Sequence, residues 1–344
     1  MKATELKPKK GDNVLVRAVF LYVGQGDSTL LFIKDGDKYK TVLVDVNRDK
    51  EHGGIDVCKL LKDIQDGEKL DLFLNTHPHK DHLNGFTEIY DEIGVRNVWH
   101  SGFNPGKGEN EYFDDFKKKI DSMKKSDSDS VRELRGSRTA LDYGDAQIHV
   151  LAPAEYVKSD IAEEDKEKRR KLIHENCIVF KVGKGESWIM QPGDADKAAF
   201  EKHILPYHKE RMSAQVLSAP HHGSRHFFKD SDDDETAWTD ALDAINPTDI
   251  IISAPTQKES PHGHPHADAV SEYEKKCGKT HVFHTGADRM SFYVDIGLDG
   301  SVGPVKTDGG DLSEKYALDK EDDSAKGFKR TEGFAGDVKP AHYA

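Results

Sequence analysis

Short apolar runs separated by polar turns open the chain. Residues 17–23, 28–33 and 41–46 read as three strands of a β-meander, with Gly24-Gln25-Gly26-Asp27 and residues 34–38 as the turns between them. The period then lengthens. Apolar positions at helical spacing predict a short amphipathic helix over 57–64 and another over 83–93, with a buried strand at 70–75 between them. A strand at 97–100 and a loop over 102–110 follow. The next helix, 111–125, carries Phe113, Phe116, Ile120 and Met123 on one face. Residues 147–151 alternate as a strand and stop at Pro153.

The second half repeats the rhythm. A hairpin is predicted at 177–182 and 187–190, and later strands at 215–219, 250–254, 281–284 and 291–296. Helices are predicted at 195–204, 238–245 and 267–276. Dense charge over 155–172 predicts a solvated helix or a mobile insertion. From about Thr307 the apolar pattern fades, so a tail of low order is expected. Strands alternating with helices predict a layered α/β fold.

Composition narrows the partners. Fifty Lys and Arg against 63 Asp and Glu leave a net charge of −13, which weakens non-specific attraction to nucleic acid or anionic lipid without excluding a local basic groove. Three dispersed cysteines, Cys58, Cys177 and Cys277, suggest no disulfide framework and fit a reducing compartment. The first ten residues are polar and no apolar run is long enough to cross a bilayer. The expectation is a soluble cytoplasmic protein with no membrane partner.

The chemistry concentrates where predicted strands end. Thr76-His77-Pro78-His79-Lys80-Asp81-His82 reads H-x-H-x-D-H, directly after a buried strand and before a helix. Neutral imidazole and carboxylate are ligands that zinc, manganese and iron accept. Asp45 ends an apolar run, where an acid is costly unless bonded, and either is a satisfied buried acid or orients the histidine loop. Asp194, His221-His222 and the series His262, His264, His266 also follow strands. Eight of the 18 histidines lie in the three post-strand clusters, which points to one convergent site.

The ordered set Asp45, His77-x-His79-x-Asp81-His82, Gly193-Asp194 and His221 resembles the metallo-β-lactamase fold. More narrowly, Val23-Gly24-Gln25-Gly26-Asp27-Ser28, Asn176-Cys177, His221-His222-Gly223-Ser224 and Gly263-His264-Pro265 resemble the hydrolase domain of ComEC/Rec2-like competence proteins. The resemblance implies an α/β (α+β) fold, a four-layer αββα sandwich of two mixed sheets with outer helices. It frames residues 1–13 as an N-terminal arm, 14–305 as the hydrolase domain and 306–344 as a polar tail. It also implies two divalent ions, zinc or manganese. His77 and His79 would hold the first, Asp81, His82 and His221 the second, and Asp194 would bridge them, with Asp45 bonded to the ligand loop. The first ion needs a third ligand, for which His174, Asn176 and Cys177 are the candidates. Asp81, His222 and His264 are the candidates for catalysis, the two histidines for substrate contact or proton delivery.

The expected activity is hydrolysis of a phosphodiester in DNA or a nucleotide by a metal-bound hydroxide. The alternatives are a hydrolase of an ester, thioester or lactam, and a non-catalytic binding module that keeps the fold. Nucleic acid or nucleotide is the expected substrate, and no protein partner is specified.

Overall fold

The computed structural model describes residues 2–104, 106, 110–157 and 165–318, and only the backbone of Lys166, Glu167 and Arg170. Fifteen strands form two sheets among these residues. In chain order they are β1 (Val16–Phe20), β2 (Thr29–Asp35), β3 (Lys38–Val44), β4 (Leu70–Asn75), β5 (Val95–His100), β6 (Val131–Glu133), β7 (Leu141–Tyr143) and β8 (Ala146–Ala152). They continue as β9 (Val179–Lys184), β10 (Ser187–Gln191), β11 (Val216–Ser218), β12 (Asp249–Ile252), β13 (Val282–His284), β14 (Phe292–Ile296) and β15 (Lys306–Thr307). The first sheet runs β15-β14-β1-β2-β3-β4-β5-β6 and the second β13-β12-β11-β10-β9-β8-β7.

Both sheets are mixed in the same way. In the first, β1, β2 and β3 are antiparallel neighbours, and β3 to β6 run parallel. In the second, β7 to β10 are antiparallel, and β10 to β13 run parallel. Parallel neighbours send their carboxyl ends to one edge, where loops can converge on a site.

Strand periodicity builds the layers. Leu72 and Leu74 of β4 face inward and pack with Val42, Val44, Ile148, Phe180, Ile189 and Val216, joining the two sheets. Phe73, between Leu72 and Leu74 on the strand, faces outward to the helices Val57–Gln65 and Glu111–Ser126, whose Leu60, Leu61, Phe113 and Phe116 cover that side. Met190, Leu217, Ile250 and Ile252 meet the helices Asp240–Ile245 and Ala267–Cys277 on the far side. The result is the expected αββα sandwich. Asp56 starts the helix Val57–Gln65 by accepting Lys59 N–H at 3.0 Å, and Asn110 starts Glu111–Ser126 by accepting Phe113 N–H at 2.7 Å.

Some boundaries differ from the pattern. The helix predicted over 83–93 is two, Lys80–Leu83 and Phe86–Glu92, divided at Gly85, whose φ of 128° no helix accepts. The segment 195–204 forms a π-helix only from Ala199 to Ile204 and continues as Leu205–His208. The predicted ends of the domain also move. The helix Ala3–Leu6 buries Ala3 and Leu6, so the first residues are part of the packed body. Beyond 305, β15 pairs with β14, and the helix Asp311–Tyr316 buries Leu312 and Tyr316 in the core of the first sheet. Leu318 N–H bonds Gly54 O at 2.9 Å. The apolar residues there are sparse, but Leu312, Tyr316 and Leu318 are all buried. The remainder of the expected tail, 319–344, and residues 158–164 lie outside the described residues. No helix among the described residues is long and apolar enough to cross a membrane.

Candidate metal centre

Asp45, one residue past β3, begins the site. Its backbone is left-handed, with φ of 52°, and its carboxylate is 1% exposed. Four donors satisfy it. Oδ1 accepts Thr76 N–H at 2.7 Å and Asn75 Nδ2–H at 3.0 Å, and Oδ2 accepts Thr76 Oγ1–H at 2.5 Å. The fourth, His82 Nδ1, lies 2.8 Å from Oδ2 and donates to it, which leaves Nε2 of that ring facing the centre. A carboxylate so bonded is no burden inside an apolar run, and it holds the entire H-x-H-x-D-H loop to the sheet.

Asp194, after β10, is the hub. Gly193 precedes it at φ 52°, and a Cβ there would come 2.7 Å from Thr76 Oγ1, so only glycine admits this approach. Asp194 Oδ1 lies 3.2 Å from His82 Nε2 and 3.3 Å from His222 Nε2. Its Oδ2 lies 3.5 Å from His77 Nε2 and 3.6 Å from His221 Nε2. Three donor groups share this one carboxylate: Asp27, His82, Asp194 and His222; His77, His79 and Asp194; His174, Asp194 and His221. Within each group the donor atoms lie within 4.8 Å of one another.

These residues fit divalent ions. His82 Nε2, His222 Nε2, Asp194 Oδ1, His174 Nε2 and His221 Nδ1 are buried without an aligned hydrogen bond. Such atoms are costly unless something else satisfies them. His77 Nε2 and His79 Nδ1 point at each other across 3.0 Å. Nitrogen and carboxylate oxygen at these separations are a donor set for zinc, manganese or iron.

Charge is divided across Asp194. Burial, with the nearby His82, pushes His77 well down, and burial with His79 takes His174 to about 3. Burial also holds His221 well below the usual range, despite Asp194. These rings are neutral and ready to ligate. On the other side burial is outweighed. Asp194, Asp45 and Asp81 raise His82, and Asp194, Asp27 and Asp81 hold His222 at about 9. Burial lifts Asp27 to about 6 against the pull of His222 and His82. For Asp194 the surrounding His222, His82, His221 and His77 overcome burial and keep it ionised.

The predicted residues meet here, with corrections. His77, His79, His82 and Asp194 converge. Asp81, expected as a ligand, approaches His222 Nε2 at 3.4 Å but joins none of the donor groups, and Asp27 is the acid that stands with His82 and His222. The expected pairing of His221 with Asp81 and His82 is not what forms. His222 takes that place and His221 faces His174, their ring centroids 4.4 Å apart. Both residues are left-handed, φ 50° and 57°, so the backbone turns His222 inward, with its Nδ1 donating to Ser253 O at 3.0 Å. Of the three candidates for a further ligand, only His174 arrives. Asn176 caps the helix Lys166–Glu175 and donates to Leu172 O at 2.7 Å. Cys177 is buried in the apolar core, which holds its thiol protonated. That helix, expected to be merely solvated, delivers His174. His264 borders the centre, its ring 5.2 Å from His221 and 6.1 Å from His222, but it joins none of the donor groups. Sequence reasoning gave Asp27 no role. The signal was an acid in a turn whose Gly26 admits no Cβ, the backbone of Asp81 lying 2.5 Å from where one would sit.

A cleft of about 670 Å³ opens beside Asp81. Lys50, Lys80, Tyr112 and His262 are among its walls, with Lys80 Nζ 5.5 Å from the centre of the Tyr112 ring. His52 closes one side, bonded to Asp49 at 2.5 Å and to Glu259 O at 2.9 Å.

No protein-family model matches the chain, and no curated protein matches it. Solved structures do. One is the metallo-β-lactamase fold protein YhfI from Bacillus subtilis, 14% identical, covering 78% of this chain and 95% of that one, with a TM-score of 0.43. A second is Igni18, a metallo hydrolase from Ignicoccus hospitalis KIN4/I, 14% identical over 78% of this chain and 94% of that one, TM-score 0.45. A third is Zn(2+)-bound PqqB from Methylobacterium extorquens, 11% identical over 78% of this chain and 97% of that one, TM-score 0.44. All three are distant likenesses.

Proposed function

We propose that the chain is a metal-dependent hydrolase of phosphodiester bonds in DNA or nucleotides, with two divalent ions, zinc or manganese, held on either side of Asp194. The observation that supports this reading is the approach of four histidines, His77, His82, His221 and His222, to the two oxygens of that one carboxylate. His77, His79, His174 and His221 would hold one ion, and Asp27, Asp81, His82 and His222 the other. When bound, such ions neutralise phosphate oxygens and make water a nucleophile near neutral pH.

The chain's own groups do the rest. Asp45 and Ser253 O fix the tautomers of His82 and His222, so both rings present Nε2 to the centre. His264, largely buried at the margin and kept neutral by burial and the neighbouring His222, is placed to contact the substrate. Lys50 and Lys80 attract an anion into the cleft, and the Tyr112 ring offers a face to a base. Asp49 and Glu51 on the same walls disfavour a broad duplex, so a single strand, an end or a free nucleotide suits the cleft best. The resemblance to ComEC-like hydrolase domains adds DNA to that list.

The test is a substrate panel on the metal-loaded chain and its Asp81→Ala variant. Chelator-sensitive cleavage of single-stranded DNA and bis(p-nitrophenyl) phosphate, lost in the variant, is expected. Turnover confined to ester, thioester or lactam substrates would move the assignment to acyl hydrolysis. Metal-loaded protein that turns over neither class would make the fold a binding module.

A further inference from the structure

We propose a second site, a phosphate-binding site on the outer face of the second sheet, built from His149, Lys181, His208 and Arg211. His149 on β8 is the direct cross-strand partner of Lys181 on β9, and Trp188 on β10 lies opposite Gly183, two residues along from Lys181. The three side chains therefore share one face. The Trp188 ring meets the His149 ring edge-on, centroids 4.8 Å apart, and Lys181 Nζ stands 4.4 Å over its centre. Lys181 is 4% exposed and donates to Ser213 O at 3.0 Å, which brings it toward Arg211 in the preceding turn. His208, 8% exposed, ends the helix Leu205–His208 one turn before Arg211.

Three of the four residues keep a polar atom without a partner. His149 Nδ1, His208 Nδ1 and Arg211 Nη1 are buried without a hydrogen-bond partner. Among the described residues no carboxylate pairs with Lys181 or Arg211. Burial and repulsion from neighbouring cations push His149 and His208 below their usual ranges, and burial takes Lys181 to about 8 although Glu186 partly offsets it. Water can satisfy the hydrogen bonds but not the charge. A tetrahedral oxyanion does both, since a guanidinium, an ammonium and two imidazole N–H groups match its several acceptor oxygens. None of these residues belongs to the Asp194 groups, and the site does not depend on the proposed activity.

The experiment is a titration of the full chain with inorganic phosphate, followed by phosphorus NMR and thermal melting, against chloride of equal ionic strength. Wild type and Asp194→Asn are expected to bind phosphate saturably and alike. Arg211→Gln and Lys181→Met are expected to weaken that binding by about tenfold or more, as loss of a charged hydrogen bond does. The partly exposed Arg211 makes the first of these variants safe for folding. No saturable binding by wild type, or unchanged affinity in Arg211→Gln, overturns the site; loss of binding in Asp194→Asn alone would place the phosphate at the metal centre and overturn it too.

Discussion

His222 Nε2 stands 3.3 Å from Asp194 Oδ1, while its neighbour His221 reaches the other oxygen, Oδ2, at 3.6 Å. Two consecutive residues thus serve opposite sides of one carboxylate. The left-handed backbone at both positions makes this possible, and the carbonyl of Ser253 holds the inner ring in place.

The two histidines should therefore fail differently. His222→Ala leaves Asp27, Asp81 and Asp194 with only His82 between them, so it should empty one metal position and lower turnover by about 100-fold or more. His221→Ala should weaken the position shared with His174 and leave the other filled. Metal content per chain, measured on both variants, checks this.

The third ligand of that position can be tested without touching the loop. Cys177→Ala should keep wild-type metal content, because the thiol lies in the apolar core. His174→Ala should lose metal affinity by about 10- to 100-fold. Competition with a chromogenic chelator reads both.

Asp45→Asn should damage stability and metal binding together. The amide cannot accept four hydrogen bonds, and the buried Thr76 and His82 donors would lose partners, at a cost of about 2–4 kcal/mol. Urea unfolding of the metal-free protein isolates the stability part.

The pH dependence has a definite sign. In the metal-free fold, three carboxylates hold His222 at about 9, above its ordinary value of 6.5. A raised folded-state value stabilises fully below about pH 6.5, and that contribution disappears as pH rises through about 9. The depressed His77, His174 and His221 act only below 6.5. Chelated protein should therefore melt at falling temperature between these limits. Metal loading at about pH 7.5 should release protons, since ligating imidazoles must be neutral. Calorimetric titration in buffers of different ionisation heat measures that release.

The packed body should include the segment up to Leu318. A chain cut after Leu318 keeps the packing of Leu312 and Tyr316. One cut after Val305 loses the burial of Leu312 and Tyr316, about 1.5–3 kcal/mol each, and should melt measurably lower.

What could be read from sequence was local. The H-x-H-x-D-H spacing, the strand before it and the acid ending β3 each carry their meaning within a few residues, and the strand lies where the pattern places it. The choice between His221 and His222 depends on two φ angles that neighbouring residue types do not dictate. Asp27 reads as an ordinary turn residue until Asp81 is brought against Gly26 by the fold. His174 was one of three adjacent candidates, separated only by which side of a helix end faces Asp194. Leu312 and Tyr316 are too few to show a period, and only the helix Val57–Gln65 beside them gives them a core to join.

The most direct measurement is the metal content and phosphodiesterase rate of Asp194→Asn beside wild type, with circular dichroism to verify folding. Two tightly bound divalent ions in wild type, fewer than one in the variant, and cleavage of bis(p-nitrophenyl) phosphate reduced to background are predicted. A folded variant that keeps both ions and the wild-type rate would contradict a centre organised on Asp194.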